Sequence, residues 1–211
     1  MSIALQAYTA HERIAGGVVG DIRLVDLLAT ATSVVIQNCL VAPLTGAPRG
    51  MEPLARVEVD DLLVVVAPAE SVVPGHAAWH ALTIELGPYR VSGELPSMPG
   101  FDPARALARP SGSFVLLGNV TVESLADREF EPTDHAFALV NRYAVDSVES
   151  DLELGFFFPG ALVRAGRPVF RDEPDLGAEP DPTDQVDPAD ETVVADEGAL
   201  REESAYNAQP V

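Results

Sequence analysis

The sequence predicts an all-β protein with a minor α component: two duplicated, small, five-stranded, barrel-like units packed together, followed by a disordered acidic tail. Three observations predict it. Short apolar segments, alternating or continuous, recur between turn residues. The chain resembles itself at a spacing near 80 residues. Its composition also changes abruptly at Arg171. With 211 residues, 47% of them hydrophobic, there is enough chain to bury a core. The expected organisation is a first unit over 1–70, a linker over 71–80 and a second unit over 81–150. An extra strand or interface segment then covers 151–170, and the tail covers 171–211.

The internal repeat rests on three blocks in the same order. Ala4, Leu5, Arg13 and Gly16 meet identical residues at Ala81, Leu82, Arg90 and Gly93, an offset of 77. Val34–Val41 meets Val115–Val122 at an offset of 81, and Val57–Val65 meets Phe137–Val145 at 80. Each unit opens with an alternating strand, such as Leu82, Ile84 and Leu86 against Thr83 and Glu85. This strand continues through Gly16 or Gly93, where a glycine predicts a bulge or bend. A short helical segment follows at 24–29 and again at 103–108, from its apolar spacing at i, i+3 and i+4. Two further strands come next, at 34–41 and 55–59 in the first unit and at 114–123 and 136–140 in the second. Asp60-Asp61 or Asn141-Arg142 then predicts a hairpin turn into a last strand, 62–66 or 143–148.

This order of strands, with the segment Phe137-Ala-Leu-Val-Asn-Arg-Tyr-Ala-Val-Asp-Ser-Val, resembles the Sm-like and SH3-like small barrels. The resemblance covers roughly 3–70 and 80–150 and implies the architecture. Sm-like proteins are implied to bind uridine-rich RNA in rings. The Sm signature has a glycine in the final turn, where this chain has Leu62 or Arg142, so no RNA-binding residue is carried over.

Composition excludes several function classes. The formal net charge is −20 and the pI is near 4.3, which argues against nucleic acid and anionic membrane surfaces as partners. All 13 cations are arginines; with no lysine there is no Schiff-base or P-loop lysine. Residues 171–211 hold 13 acidic residues against two arginines, and residues 1–170 hold 20 against 11. Low hydropathy, high charge and Pro174, Pro180, Pro182 and Pro188 predict that the tail stays disordered and offers a docking segment for a basic protein partner. No basic segment precedes an apolar stretch at the N-terminus and no apolar run reaches membrane-spanning length, so a cytoplasmic location is expected.

No catalytic, cofactor-binding or metal-binding residues are assigned. His76 and His80 are four apart, but Pro74-Gly75 precede them and no third ligand is near. His135 follows Asp134, yet no G-x-S-x-G elbow exists. Gly16-Gly17-Val18-Val19-Gly20 lacks the G-x-G-x-x-G spacing. Lone Cys39 lies in an apolar run and reads as a buried small hydrophobe. The candidate interaction residues are Arg13 and Arg90, repeated in both units, and Phe156, Phe157 and Phe158. The arginines suit pairing with a carboxylate across the inter-unit interface. The phenylalanines suit an extra strand buried at that interface, or a patch for a partner or homo-oligomer. The expected function is a non-catalytic protein-interaction or assembly module. The alternative is a small-ligand binder or enzyme with its site in the inter-unit cleft near Arg13 and Arg90.

Overall fold

The computed structural model describes residues 2–20, 23–45, 50–66, 77–97, 112–127, 130–152 and 154–166. They all fall in the first of two units into which the chain divides, Met1–Arg171; the second, Asp172–Val211, covers the predicted tail but for Arg171 and lies outside the described residues. The N-terminal half holds β1 (Ser2–Thr9), β2 (Glu12–Val19), helix α1 (Leu24–Thr30), β3 (Ser33–Pro43), β4 (Gly50–Glu58) and β5 (Leu62–Val66). The C-terminal half holds β6 (Ala78–Leu86), β7 (Tyr89–Ser97), β8 (Phe114–Ser124), β9 (Thr133–Asn141), β10 (Ser147–Ser150) and β11 (Leu162–Ala165). The described residues are therefore all-β with one short α-helix.

The expected pair of closed barrels is corrected. All eleven strands belong to one open sheet in the order β11-β10-β6-β7-β8-β9-β5-β1-β2-β3-β4. Neighbours are antiparallel except β10 and β11, which run parallel. The two halves meet because β5 pairs with its own half's β1 on one side and with β9 on the other, through Val64 opposite Val140 and Val65 opposite Leu139. Strand β5, Leu62-Leu63-Val64-Val65-Val66, has the continuous apolar character of a strand covered on both faces. Leu63 and Val64 enter the core of the C-terminal half, and Leu62 and Val65 that of the N-terminal half. At roughly 1.5–3 kcal/mol per buried aliphatic side chain, Leu63 and Val64, which enter the other half's core, contribute on the order of 3–6 kcal/mol gross to holding the halves together.

The predicted bent opening strand is a hairpin in each half. The chain reverses at Ala10-His11, where the Thr9 hydroxyl accepts from the His11 and Glu12 amides at 3.2 and 3.1 Å, and at Gly87-Pro88, where Gly87 has φ +52°. The two glycines sit one strand later than expected, at register irregularities where β2 meets β3 and β7 meets β8. A Cβ on Gly16 would lie 2.6 Å from Ile36 Cγ2 and 2.8 Å from the Gln37 carbonyl oxygen; one on Gly93 would lie 3.1 Å from the Gly118 oxygen. Opposite these glycines, β3 and β8 bend at Asn38 and Asn119, with φ of 47° and 48°, a conformation asparagine tolerates better than most residues. The bend exchanges the faces: Val34 and Ile36 are buried before it, Cys39 and Val41 after it.

Neither predicted hairpin turn forms. Strand β4 pairs with β3 and not with β5, and β9 pairs with β8 and β5 and not with the strand that follows it. Asp60 and Asp61 instead belong to a single 3-10 turn, Val59–Asp61, that carries the chain away from β4. After Asn141 the chain turns over 141–144, and the strand that follows is Ser147–Ser150 rather than 143–148. The third repeat block therefore shifts. Val65 and Val148 hold matching places, opposite Ala7 and Ile84, which puts its spacing at 83 rather than 80.

Helix α1 forms where predicted, burying Leu24 and Leu28 one turn apart against the N-terminal core. Its expected counterpart at 103–108 lies outside the described residues.

Candidate interaction site

Arg13 and Arg90 take matching places but make different contacts. Each stands opposite the last part of the preceding strand: Arg13 opposite Tyr8, Arg90 opposite Glu85. Arg90 closes onto Glu85 at 2.7 Å within its own hairpin, and this guanidinium, with help from the Ser147 hydroxyl, holds the Glu85 carboxyl below its ordinary range against the opposing effect of burial. Arg13 instead reaches across the seam between the halves, its guanidinium carbon 5.3 Å from the Phe130 ring centre. The two arginines are not brought to one site. The carboxylate partner expected across the seam is, for Arg90, a residue of the same hairpin.

Around Arg13 the seam carries a polar cluster that sequence reasoning missed. The buried Tyr8 hydroxyl accepts from Gln6 Nε2 at 2.9 Å and lies 3.0 Å from Thr133 Oγ1 and 3.1 Å from His135 Nε2. Its ring meets that of Tyr89 edge-on, with centres 5.4 Å apart. Burial raises both phenol pKa values; for Tyr8 the bonds from Thr133, Arg13 and Gln6 oppose the rise. Burial lowers that of His135, with Asp134 opposing and Arg13 reinforcing. Asn141 adds a direct tie across the seam, donating from Nδ2 to the Leu62 carbonyl at 3.1 Å. The arrangement ties the two halves together across the seam.

The three phenylalanines are not in a strand and not at the seam. They occupy the turn before β11, at the opposite end of the sheet from β4. Phe158 is fully buried in the C-terminal core, Phe157 half-buried and Phe156 exposed. Phe156 lines an open cleft of about 490 Å³ with Gly112, Ser113, Arg142, Tyr143, Gly155 and Pro159. Arg142 braces this turn by donating from Nη2 to the Phe156 carbonyl.

The outer face of β3 and β4 carries a group of exposed apolar side chains. Leu40 stands opposite Met51, and they are 44% and 70% exposed; Leu54, next along β4, is 56% exposed. In the C-terminal half the matching pair, two residues past the bend asparagine, is Thr121 opposite Asp134, joined by a 2.7 Å hydrogen bond. One half is polar there and the other apolar. No protein-family model matches the chain, and no curated protein or solved structure is significantly similar to it.

Of the remaining sequence candidates, His80 bonds Ser97 at 2.9 Å and Cys39 is fully buried, its thiol pKa raised by burial. His76 lies outside the described residues. Among the described residues no three His, Cys, Asp or Glu side chains gather where they could hold a metal ion, and no helix is long and apolar enough to cross a membrane.

Proposed function

We propose that the protein is a non-catalytic, cytoplasmic protein-interaction module built from a duplicated β unit. The duplication is supported by the shared strand order of the two halves and by the matching places of Gly16 with Gly93, Asn38 with Asn119 and Arg13 with Arg90. The observation that carries the interaction reading is the pair Leu40–Met51 where the other half has Thr121–Asp134. Exposed apolar residues scattered singly need no explanation, but neighbours that replace a hydrogen-bonded polar pair form a patch that favours a partner. The acidic stretch 171–211, with 13 carboxylates, adds an electrostatic contribution toward a basic protein partner.

The test grafts the second half's residues onto the first: Leu40→Thr with Met51→Asp. Both side chains are exposed, so the melting temperature is expected to stay within about 2–4 °C of wild type. Affinity capture with wild type, with the double variant and with a chain ending at Phe170 separates the patch from the acidic stretch. Proteins lost only with the double variant support the patch. The same proteins in all three captures would sink the reading.

A further inference from the structure

The outer face of the C-terminal half carries the chain's single tryptophan, away from both the seam cluster and the Leu40–Met51 patch. Trp79 stands on β6 opposite Pro96 of β7, and its indole reaches past β7 to β8. A Cβ on Gly118 would lie 2.5 Å from Trp79 Cζ3 and 3.0 Å from Cη2, so glycine is what leaves room for the ring. Adjacent strands are about 4.8 Å apart, so a side chain that touches the second strand over lies along the sheet rather than standing up from it. Trp79 is nonetheless 40% exposed, which leaves part of its aromatic surface open to solvent.

Glu94 stands directly opposite Gly118, its Cβ within about 4.5–5.5 Å of the Cβ position that the ring end covers. Asn119 Nδ2 donates to Glu94 Oε2, which holds the carboxylate in place and leaves Oε1 to accept. Among the described residues no cation pairs with Glu94. The surrounding face is acidic: β6–β9 place Glu85, Glu94, Glu123 and Asp134 on it against Arg90, while Glu149 opposite Arg164 on β10 and β11 cancel. The fold does not require this set of residues. In the N-terminal half the matching places hold Ser2, Gly17 and Gln37, with Ser2 opposite Val19 and Gly17 opposite Gln37, and the same strands form.

We infer that Trp79 and Glu94 bind an arginine side chain of a basic protein partner, its guanidinium packed on the open indole surface and donating to the Glu94 carboxylate. A cation is attracted to an aromatic face within about 6 Å of the ring centre, most strongly to tryptophan. A guanidinium suits the pair better than an ammonium, because it is planar and weakly hydrated and can stack while its edge donates to a carboxylate. An uncharged apolar ligand would desolvate Glu94 without a partner, and the phosphates of a nucleic acid would be repelled by it. The inference shares with the interaction reading above a basic protein partner, but it uses a different surface, so the Leu40–Met51 patch and this site can fail separately.

Because the chain has one tryptophan, its emission reads this site and not the acidic stretch. The full chain is titrated with a capped hexapeptide of alternating glycine and arginine, and with its lysine counterpart. The salt is held at about 0.15 M, where charges beyond about 8 Å are largely screened. The arginine peptide is expected to change the Trp79 emission saturably, and the lysine peptide to bind at least about threefold more weakly. Glu94→Gln is expected to weaken the arginine peptide about fivefold to tenfold, and Glu58→Gln, the same loss of charge at an exposed place on β4, less than about twofold. Circular dichroism checks that both variants stay folded. Emission that does not respond to the arginine peptide overturns the inference, while capture on the Leu40–Met51 patch would still stand. Equal binding of the two peptides overturns the assignment to arginine, and equal losses in the two variants would show attraction to overall charge in place of a site.

Discussion

Tyr8 and Tyr89 are both fully buried and touch edge-on, yet removing their hydroxyls is expected to have opposite effects. Phenylalanine keeps each ring, so the aromatic contact and nearly all the packing survive and only the hydroxyl is tested. The Tyr8 hydroxyl meets three side chains from both halves, Gln6, Thr133 and His135, within 2.9–3.1 Å. A hydrogen bond contributes about 0.5–1.5 kcal/mol net. The three partners are half-buried and regain water, so the loss for Tyr8→Phe falls below the simple sum, at about 1–2 kcal/mol. The Tyr89 hydroxyl is buried with no hydrogen-bond partner among the described residues. Its desolvation costs on the order of 1–3 kcal/mol, so Tyr89→Phe is expected to be neutral or stabilising by up to that amount. Urea unfolding of the full chain measures both, with the slope against denaturant as the check that the unfolded states match. In a thermal melt the difference is at least 2–4 °C per kcal/mol for a chain of about this size. If Tyr89→Phe destabilises as much as Tyr8→Phe, the seam network does not contribute what its geometry implies.

Two further predictions concern the bend and the exposed ion pair. Gly16→Ala places a Cβ against the Gln37 backbone oxygen and is expected to cost about 1–3 kcal/mol, whereas Gly17→Ala meets only the movable Ser2 hydroxyl and is expected to cost under about 1 kcal/mol; equal costs in urea unfolding would refute the close-approach argument. Arg90 lowers the Glu85 pKa in the folded state, so the pair's contribution is fully present above the unfolded value of about 4.3 and fades as pH falls through the lower folded value. Arg90→Gln should flatten stability against pH between about 5 and 3, and a profile unchanged from wild type would refute the pairing.

Much of the strand pattern was legible because a sheet's side chains alternate and its bends demand particular residues. Gly16 and Gly93 stood out in the repeat, and the structure puts both at matching irregularities, opposite Asn38 and Asn119. Part of the candidate site was legible too. Leu40 already stood against Thr121 in the second repeat block, an apolar residue facing a polar one. Met51 against Asp134 was hidden by the block spacing of 80 where the fold has 83. The seam cluster had no local signal, because Tyr8 lies 125 and 127 residues from Thr133 and His135.

By itself the sequence determined the class of the fold, most of the strand positions, the position of α1 and the two glycines that stand at the irregularities. Side-chain periodicity and glycine or asparagine chemistry act locally, and they are written residue by residue. Only the tertiary structure decided that β5 bridges to β9, that the sheet stays open, and that Arg90 meets Glu85 while Arg13 meets Phe130. Backbone donors and acceptors are alike in every strand, so an edge does not name its neighbour. What selects the neighbour is how well the two faces bury together, and β5, apolar on both faces, found a covering surface on either side.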